Sequence, residues 1–432
     1  MKRKKLLMTL AVLFCVASAV AQEEFKFEVT TTAANPTFAI PVSGGDGGKA
    51  YNWTINWGDG SANQNASGTG NIMGAGISHT YTTPGIHQIT LTPNGSNERW
   101  LAAFGFNGIS PGANMQANKD LVTKVISPIT PLMTRTQAEI TANTTTPPNS
   151  EWAFTFEGCK NLTMGPAFTF SSAWNSITTV GNDFAHYMFS GCSGDAFKMN
   201  DVFNLPQSIT TVGNNFACSM FFGCSGAAFK MCNVFNLPQD IGPMGGGFAE
   251  GMFSGCSGAA FTMNTVFNLP QFMTTVGVDF AGEMFSDCSG AAFKVNNVFK
   301  FPPLAQTEIN KSNVFYRTFY NLVNAAPQSR TAASIINGNP TPNSSKETFK
   351  NSGCFTDLPS IPINWGGGEE FKFEVTTTAA NQVFAIPLSG GNGGKAYNWD
   401  INWGDGVDSF GITGTGTTTH AGIKHTYASA GT

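Results

Sequence analysis

One apolar frame recurs four times at a fixed step of 32 residues, and that step constrains the fold more than any other feature of the chain. Phe184, Phe216, Phe248 and Phe280 open the frame. Met188, Met220, Met252 and Met284 follow four residues later, and Cys192, Cys224, Cys256 and Cys288 four after that. A unit this short cannot bury an apolar face alone and must stack on its neighbours, so the period predicts a solenoid. A stacked array offers a long surface and no evident cleft for chemistry, which directs the functional reading toward binding.

Inside one unit, the four-residue spacing of Phe184, Met188 and Cys192 predicts one face of a short helix. Ala196–Met199 reads as a strand, and Pro206, which has no N–H to donate, closes that segment. Ile209–Val212 reads as a second strand. Phe203, Phe235, Phe267 and Phe299 share a register and predict a stacked aromatic column. The cysteines keep the phase of the frame, with Cys159 and Cys354 extending it, and are read as a ladder of buried thiols packing as small hydrophobes. Cys218 and Cys232 lie out of phase, which leaves a disulfide between them open. No C-x-x-C or histidine-rich spacing suggests a metal site.

Where the four units differ, the array can vary. His186, Cys218, Glu250 and Gly282 form one such column; Tyr187, Ser219, Gly251 and Glu283 a second; Asp201, Asn233, Thr265 and Asn297 a third. All three are expected to face solvent. His186, Tyr187, Asp201, Asn233, Glu250, Glu283 and Asn297 are the candidate partner-binding residues; the plainer reading of the same columns is a solvated face.

The ends have their own logic. Lys2–Lys5, an apolar run from Leu6 to Val16 and Ala19-Val20-Ala21 read as a signal peptide over residues 1–21. Its removal takes four basic residues from a chain whose formal charge is −4, leaving −8. That argues against nucleic acid or an anionic membrane as partner, and no membrane span is expected after cleavage. Residues 22–97 read as a β-sandwich, from the alternation Phe25-Lys-Phe-Glu-Val29, the strand candidate Trp53–Trp57 and the turn Gly58-Asp59-Gly60. Residues 98–150 read as a connecting segment, with a further strand near 120–126, and 151–363 as the array. Residues 369–406 repeat 23–60 with five differences, so 369–432 read as a second sandwich. Its lack of a counterpart to Ile86–Leu91 predicts an incomplete domain with an open edge, and a route to self-association.

Catalytic signatures are missing from the pattern. There is no phosphate loop between strand and helix, no G-x-S-x-G elbow and no H-E-x-x-H. Asp46 and Asp59 could be offered as a paired-carboxylate site, but Asp46 becomes Asn392 in the second copy. Asp59 and Asp405 read as turn residues, with calcium contact as the alternative. No enzyme activity, catalytic residue, cofactor or metal is expected.

The frame GCSGAAFKM…FNLPQ…TTVG, with MFSGC, resembles the BspA-like leucine-rich repeats of bacterial surface proteins. The preceding YNWTINWGDG and HTYTTPG look like the PKD-type (polycystic-kidney-disease-type) sandwich that accompanies such repeats. Phe stands here where leucine is usual, and the units are 32 residues long. The resemblance implies a β-rich chain in which a leucine-rich-repeat-like solenoid is flanked by Ig-like sandwiches, the second incomplete. It also implies a secreted or surface-displayed adhesin of Bacteroides-type anaerobes, whose partner is a host extracellular matrix protein or a bacterial surface component. Two other readings remain. One is a carbohydrate-binding or glycan-processing accessory, with Trp100, Trp152 and Trp174 as aromatic platforms; the other is a purely structural surface element.

Overall fold

The structure is a computed structural model that describes residues 23–41, 50–69, 76–94, 105–106, 115–143, 147–242, 244–367, 374–386, 396–405, 408–415 and 423–431. The predicted leader, Asp46 and Trp100 lie outside the described residues. The chain forms two compact units, residues 1–368 and 369–432.

The alternation at the start of the first unit makes strand β1, Phe25–Thr31, whose residues Phe25, Phe27, Val29 and Thr31 all point inward. After β2 (Thr37–Ile40), β3 (Ala50–Asn56), β4 (Gln64–Thr69) and β5 (Ile77–Thr80), the chain returns as β6 (Gly85–Pro93), antiparallel to β1. A small sheet of β2 and β5 accompanies a larger one that runs β4-β3-β6-β1. Helix α1 (Met115–Leu121) serves the edge strand β2: the Asn118 side chain accepts from Ala39 N at 2.8 Å and donates to Ala39 O at 3.0 Å.

The larger sheet does not stop at β1. Strand β7 (Val122–Val125) pairs antiparallel with the free side of β1, and β8 (Thr163–Met164) adds parallel to β7. The segment expected to connect therefore supplies the strand that joins the sandwich sheet to the first repeat-like unit, and an open edge is avoided. The core is continuous across this join, because Phe25 packs on Trp152 and Phe156 at ring distances of 6.1 and 6.5 Å. Helix α2 (Gln137–Ala142) follows, started by a capping box between Thr136 and Glu139. Beside it, the fully buried Arg135 makes a two-pronged pair with Glu151, Nε to Oε1 at 2.8 Å and Nη2 to Oε2 at 2.7 Å.

From here on, successive units stack through phenylalanine. One column runs Phe156, Phe189, Phe221, Phe253, Phe285, Phe319 and Phe349 at ring distances of 5.3 to 5.7 Å, with rings within 15° of parallel. A second column, Phe203, Phe235, Phe267 and Phe299, is the one read from the sequence, and it meets the first edge-on, as Phe253 and Phe267 do at 86°. Phe184, Phe216, Phe248 and Phe280 make a third, and Phe197, Phe229, Phe261 and Phe293 a fourth. Offset and edge-to-face aromatic pairs each add about 0.5–1.5 kcal/mol beyond the area they bury. Past Pro303 the units carry short helices, α3 (Gln306–Ile309) and α4 (Ala332–Ile336), and Trp365 ends the core against Phe301.

The short helix expected around Phe184, Met188 and Cys192 is not formed, nor is the strand at Ala196–Met199. The backbone there alternates in hand instead: Asp183, Ala185 and Tyr187 have φ of +58°, +55° and +52°. Met188 N and Ser190 N bond three residues back, to Ala185 O and Tyr187 O, and close local turns. Tyr187 N, Phe189 N and Gly191 N bond forward to Cys218 O, Met220 O and Phe222 O of the next unit. Half of the amides thus stay local and half bridge units, which no helix could do. Left-handed alanine or tyrosine costs about 1–2 kcal/mol each, and the forward bonds and ring stacks offset it. The second predicted strand survives only as two-residue parallel bridges, β9 (Thr179–Val180) with β10 (Thr211–Val212).

Asparagine replaces much of the missing strand pairing. Asn264 Nδ2 donates to Cys232 O and Phe235 O at 2.6 and 2.7 Å, and Asn296 Nδ2 to Asn264 O and Phe267 O at 2.7 and 2.9 Å. A parallel ladder runs from Asn204 Oδ1 to Asn236 N, from Asn236 Oδ1 to Asn268 N and from Asn268 Oδ1 to Lys300 N. The in-phase thiols add a rung each: Cys192, Cys224, Cys256 and Cys288 donate to the carbonyls of Phe156, Phe189, Phe221 and Phe253 at 3.0 to 3.1 Å. The eight cysteines among the described residues are all free and buried, and burial pushes the in-phase thiols far above the ordinary value. Cys232 is a member of the asparagine column that bonds Phe203 O through sulfur, so the disulfide left open with Cys218 is not made.

The second unit repeats the local pattern of the first. Strand β11 (Gln382–Ile386) pairs antiparallel with β14 (Ile423–Tyr427), and β12 (Ala396–Asn402) with β13 (Asp408–Thr415). In both copies one histidine staples the turn. His79 Nε2 lies 2.7 Å from Asp59 Oδ2 and stacks on Trp57; His425 lies 2.7 Å from Asp405 and stacks on Trp403.

Candidate functional site

The first two variable columns do not line an open face. They descend into a concavity of about 310 Å³, lined by His186, Tyr187, Asn215, Cys218, Ser219, Phe222, Glu250, Gly251 and Glu283. The expectation that these columns face solvent is corrected accordingly: Cys218, Ser219, Gly251 and Gly282 are buried, and His186, Tyr187, Glu250 and Glu283 half-buried. Successive units sit so close that each side chain shields the next, so position in a column does not by itself give exposure.

The hollow has a sequence origin. Down the second column the side chains run Tyr187, Ser219, Gly251, Glu283, shrinking to nothing at the third unit. All four sit at left-handed φ, +52°, +51°, +56° and +51°. Glycine at 251 is therefore not a backbone requirement of the fold, since three side-chain-bearing residues hold the same conformation. What glycine provides is space.

One end of the hollow is aromatic. Tyr187 stacks on Phe154 at 5.4 Å and 13°, His186 packs on Tyr187 at 4.3 Å, and Phe222 is 45% exposed. The other end is acidic. Burial, with Asp279 and Glu283 adding repulsion, pushes the Glu250 carboxyl up to about 7. The Cys218 thiol lies 3.9 Å from Glu250 Oε2 and is itself pushed up to about 12 by burial, so it serves as a protonated donor and not as a nucleophile. Burial also draws His186 below its ordinary value, against the opposing pull of Asp183, whose Oδ1 lies 3.7 Å from Nδ1.

Four of the seven candidate residues, His186, Tyr187, Glu250 and Glu283, are thus brought together. Asp201, Asn233 and Asn297 are not among the lining residues. They are exposed in a separate row beside the exposed Val202, Val234, Val266 and Val298. Asn215, Cys218, Ser219, Phe222 and Gly251 complete the hollow. Of these, Cys218, Ser219 and Gly251 belong to variable columns already read from the sequence, whereas nothing in the pattern singled out Phe222 or Asn215.

Other sequence candidates have structural employment. Trp152 and Trp174 are completely buried and cannot act as platforms for a sugar. Burial works to raise the Asp59 carboxyl, but bonds from Ser61 and His79 outweigh it and hold the group well below the usual range. Asp59 is therefore a turn residue with its acceptors occupied. No group of metal-holding side chains occurs among the described residues, and no helix among them is long and apolar enough to cross a membrane.

Comparison with family models matches residues 25–101 to the PKD domain. The matched region covers the strands from β1 to β6. PKD domains are common in extracellular and surface proteins. Comparison with curated proteins and with solved structures gives no match.

Proposed function

We propose that the chain is a non-catalytic binding protein of the cell exterior, an adhesin whose BspA-like, leucine-rich-repeat-like solenoid holds a protein partner. On this reading the PKD-type domains space and present the solenoid, and the partner is a host matrix protein or a component of another bacterial surface. The observation that carries the reading is the hollow. It lies where two of the variable columns converge, while the residues that stack and bond the units stay nearly constant. A scaffold that holds its core and varies the lining of a recess is suited to recognition. The burial of Trp152 and Trp174 weighs against the glycan reading.

The test uses the whole chain, because cutting at residue 151 would part Phe25 from Trp152 and leave β8 without β7. The chain is passed over immobilised matrix proteins, beside a variant carrying Tyr187→Ser and Glu283→Ser. Serine already occupies that column at Ser219, so the variant keeps the fold. Saturable binding to a protein, reduced at least tenfold in the variant, is the expected result. Binding that the variant retains in full, or a folded chain that binds no protein, would overturn the proposal.

A further inference from the structure

We infer that the hollow between Tyr187 and Glu283 receives a basic side chain, a lysine or arginine of the partner protein, with its alkyl stem along the aromatic wall and its charge between Glu250 and Glu283. This rests on the binding reading above and names the chemistry of its partner.

Three features argue for it. First, the cavity of about 310 Å³ stands at the small end of the range that holds a compact ligand group, and it accepts one long side chain. Second, its two ends suit the two parts of such a side chain. Tyr187, His186 and Phe222 offer apolar and π-electron surface, along which a lysine or arginine stem packs and toward which its charge is drawn. Glu250 and Glu283 offer carboxylates. Third, the acids are not neutralised from within: among the described residues neither Glu250 nor Glu283 forms an ion pair with a lysine or arginine. This differs from Glu308 and Glu347 farther along, which are paired with Lys311, Arg317 and Lys350. A half-buried carboxylate held among like charges is relieved when a cation arrives. The chain's formal charge of −4 adds a general attraction for a basic partner.

The groups that face Glu250 are Cys218 on one neighbouring unit and Asp279 and Glu283 on the other, with His186 and Asp183 farther along the wall. None supplies a fixed positive charge at neutral pH. Below about pH 7 Glu250 takes up a proton and the attraction weakens, while a lysine ammonium keeps its charge throughout. Occupancy by a lysine side chain therefore rises with pH across that range.

The test is a titration of the full chain, followed by saturation-transfer NMR, with an end-blocked Gly-Lys-Gly peptide. The same peptide with norleucine in place of lysine and free 1,5-diaminopentane are run beside it. The lysine peptide is expected to bind at pH 8, at least tenfold more tightly than the norleucine peptide and more weakly at pH 5. Glu250→Gln with Glu283→Gln is expected to weaken it tenfold or more. Gly251→Tyr, which installs the side chain that Tyr187 carries at the same backbone conformation, is expected to abolish it with the thermal unfolding curve unchanged. Should Gly251→Tyr misfold, Gly251→Ser, which copies the side chain of Ser219 in the preceding unit, serves in its place with a partial loss expected. Equal binding of the norleucine peptide, or full binding by the filled variant, would overturn the inference. Tighter binding of the diamine than of the peptide would overturn the assignment to a protein side chain. If the peptide fails while matrix binding by the whole chain is still lost with Tyr187→Ser and Glu283→Ser, the cation falls and the adhesin reading stands.

Discussion

Phe253→Ala is expected to destabilise the array by about 3–5 kcal/mol, the usual cost of emptying a large aromatic site in a packed core. Phe253 lies fully buried at the centre of the longest column. It stacks on Phe221 at 5.3 Å and Phe285 at 5.6 Å, and meets Phe235, Phe261 and Phe267 from the sides. Collapse cannot refill the space, because the spacing of each neighbour is fixed by its own stack. Phe272 is the matched control: it is 86% exposed, and its replacement by alanine is expected to change stability by less than about 0.5 kcal/mol. Urea unfolding monitored by tryptophan fluorescence and by circular dichroism measures both. A loss below about 1 kcal/mol at Phe253, well short of the usual cost of such a truncation, would mean that the columns do not carry the stability assigned to them.

The second large effect is expected where the sandwich meets the array. Arg135 and Glu151 are both fully buried and bond each other twice; Arg135 also donates to Thr179 O at 2.8 Å and lies 5.7 Å above the ring of Trp174. Arg135→Met leaves a buried carboxylate without its partner, and a loss of about 3–5 kcal/mol is expected. Adding Glu151→Gln removes that stranded charge, and most of the loss is expected to return. A thermodynamic cycle of the two single variants and the double measures the coupling. If the double variant is as unstable as the sum of the singles, the pair acts through packing and not through charge.

Much of the fold is legible in the chain because it follows from spacing. A step of 32 residues predicts columns, and Phe203, Phe235, Phe267 and Phe299 stack as expected. The buried phase of Cys192, Cys224, Cys256 and Cys288 is legible for the same reason. The alternation of Phe25, Phe27 and Val29 marks the inner face of β1. The local conformation inside each unit is not legible in this way. A four-residue spacing of Phe184, Met188 and Cys192 suits a helix, but it also suits a chain that alternates between left- and right-handed residues. Side-chain spacing alone does not separate the two, and few sequences carry alanine and tyrosine at positive φ.

The work of the asparagines is hidden for a related reason. In the sequence their residue type carries no mark of a structural role, whereas Asn236, Asn264, Asn268 and Asn296 spend their side-chain amides on the backbone of neighbouring units. For Asn236 and Asn268 the available signal is their recurrence in FNLPQ; for Asn264 and Asn296 it is a place three residues before the column residues Phe267 and Phe299. Of the candidate site, the two columns with His186, Tyr187, Glu250 and Glu283 are visible as variation. Their convergence into a hollow is not, because depth depends on how closely the units stack. The third column, with Asp201, Asn233 and Asn297, looks the same in sequence and lies outside that hollow.

The central claim is that each unit is an interchangeable layer, bonded and stacked on its neighbours at one fixed step. The most direct measurement removes residues 217–248, joining Phe216 to Ala249 and restoring the frame one unit shorter, and compares urea unfolding with that of the intact chain. The expected result is a folded protein that unfolds cooperatively with a smaller dependence on urea, since one layer less is exposed. Removing only residues 217–232, half a layer, is predicted to abolish cooperative unfolding, because every ring column and asparagine ladder beyond the cut loses its register. If the full-unit deletion unfolds the protein as completely as the half-unit deletion, the layers are not interchangeable and the account is contradicted.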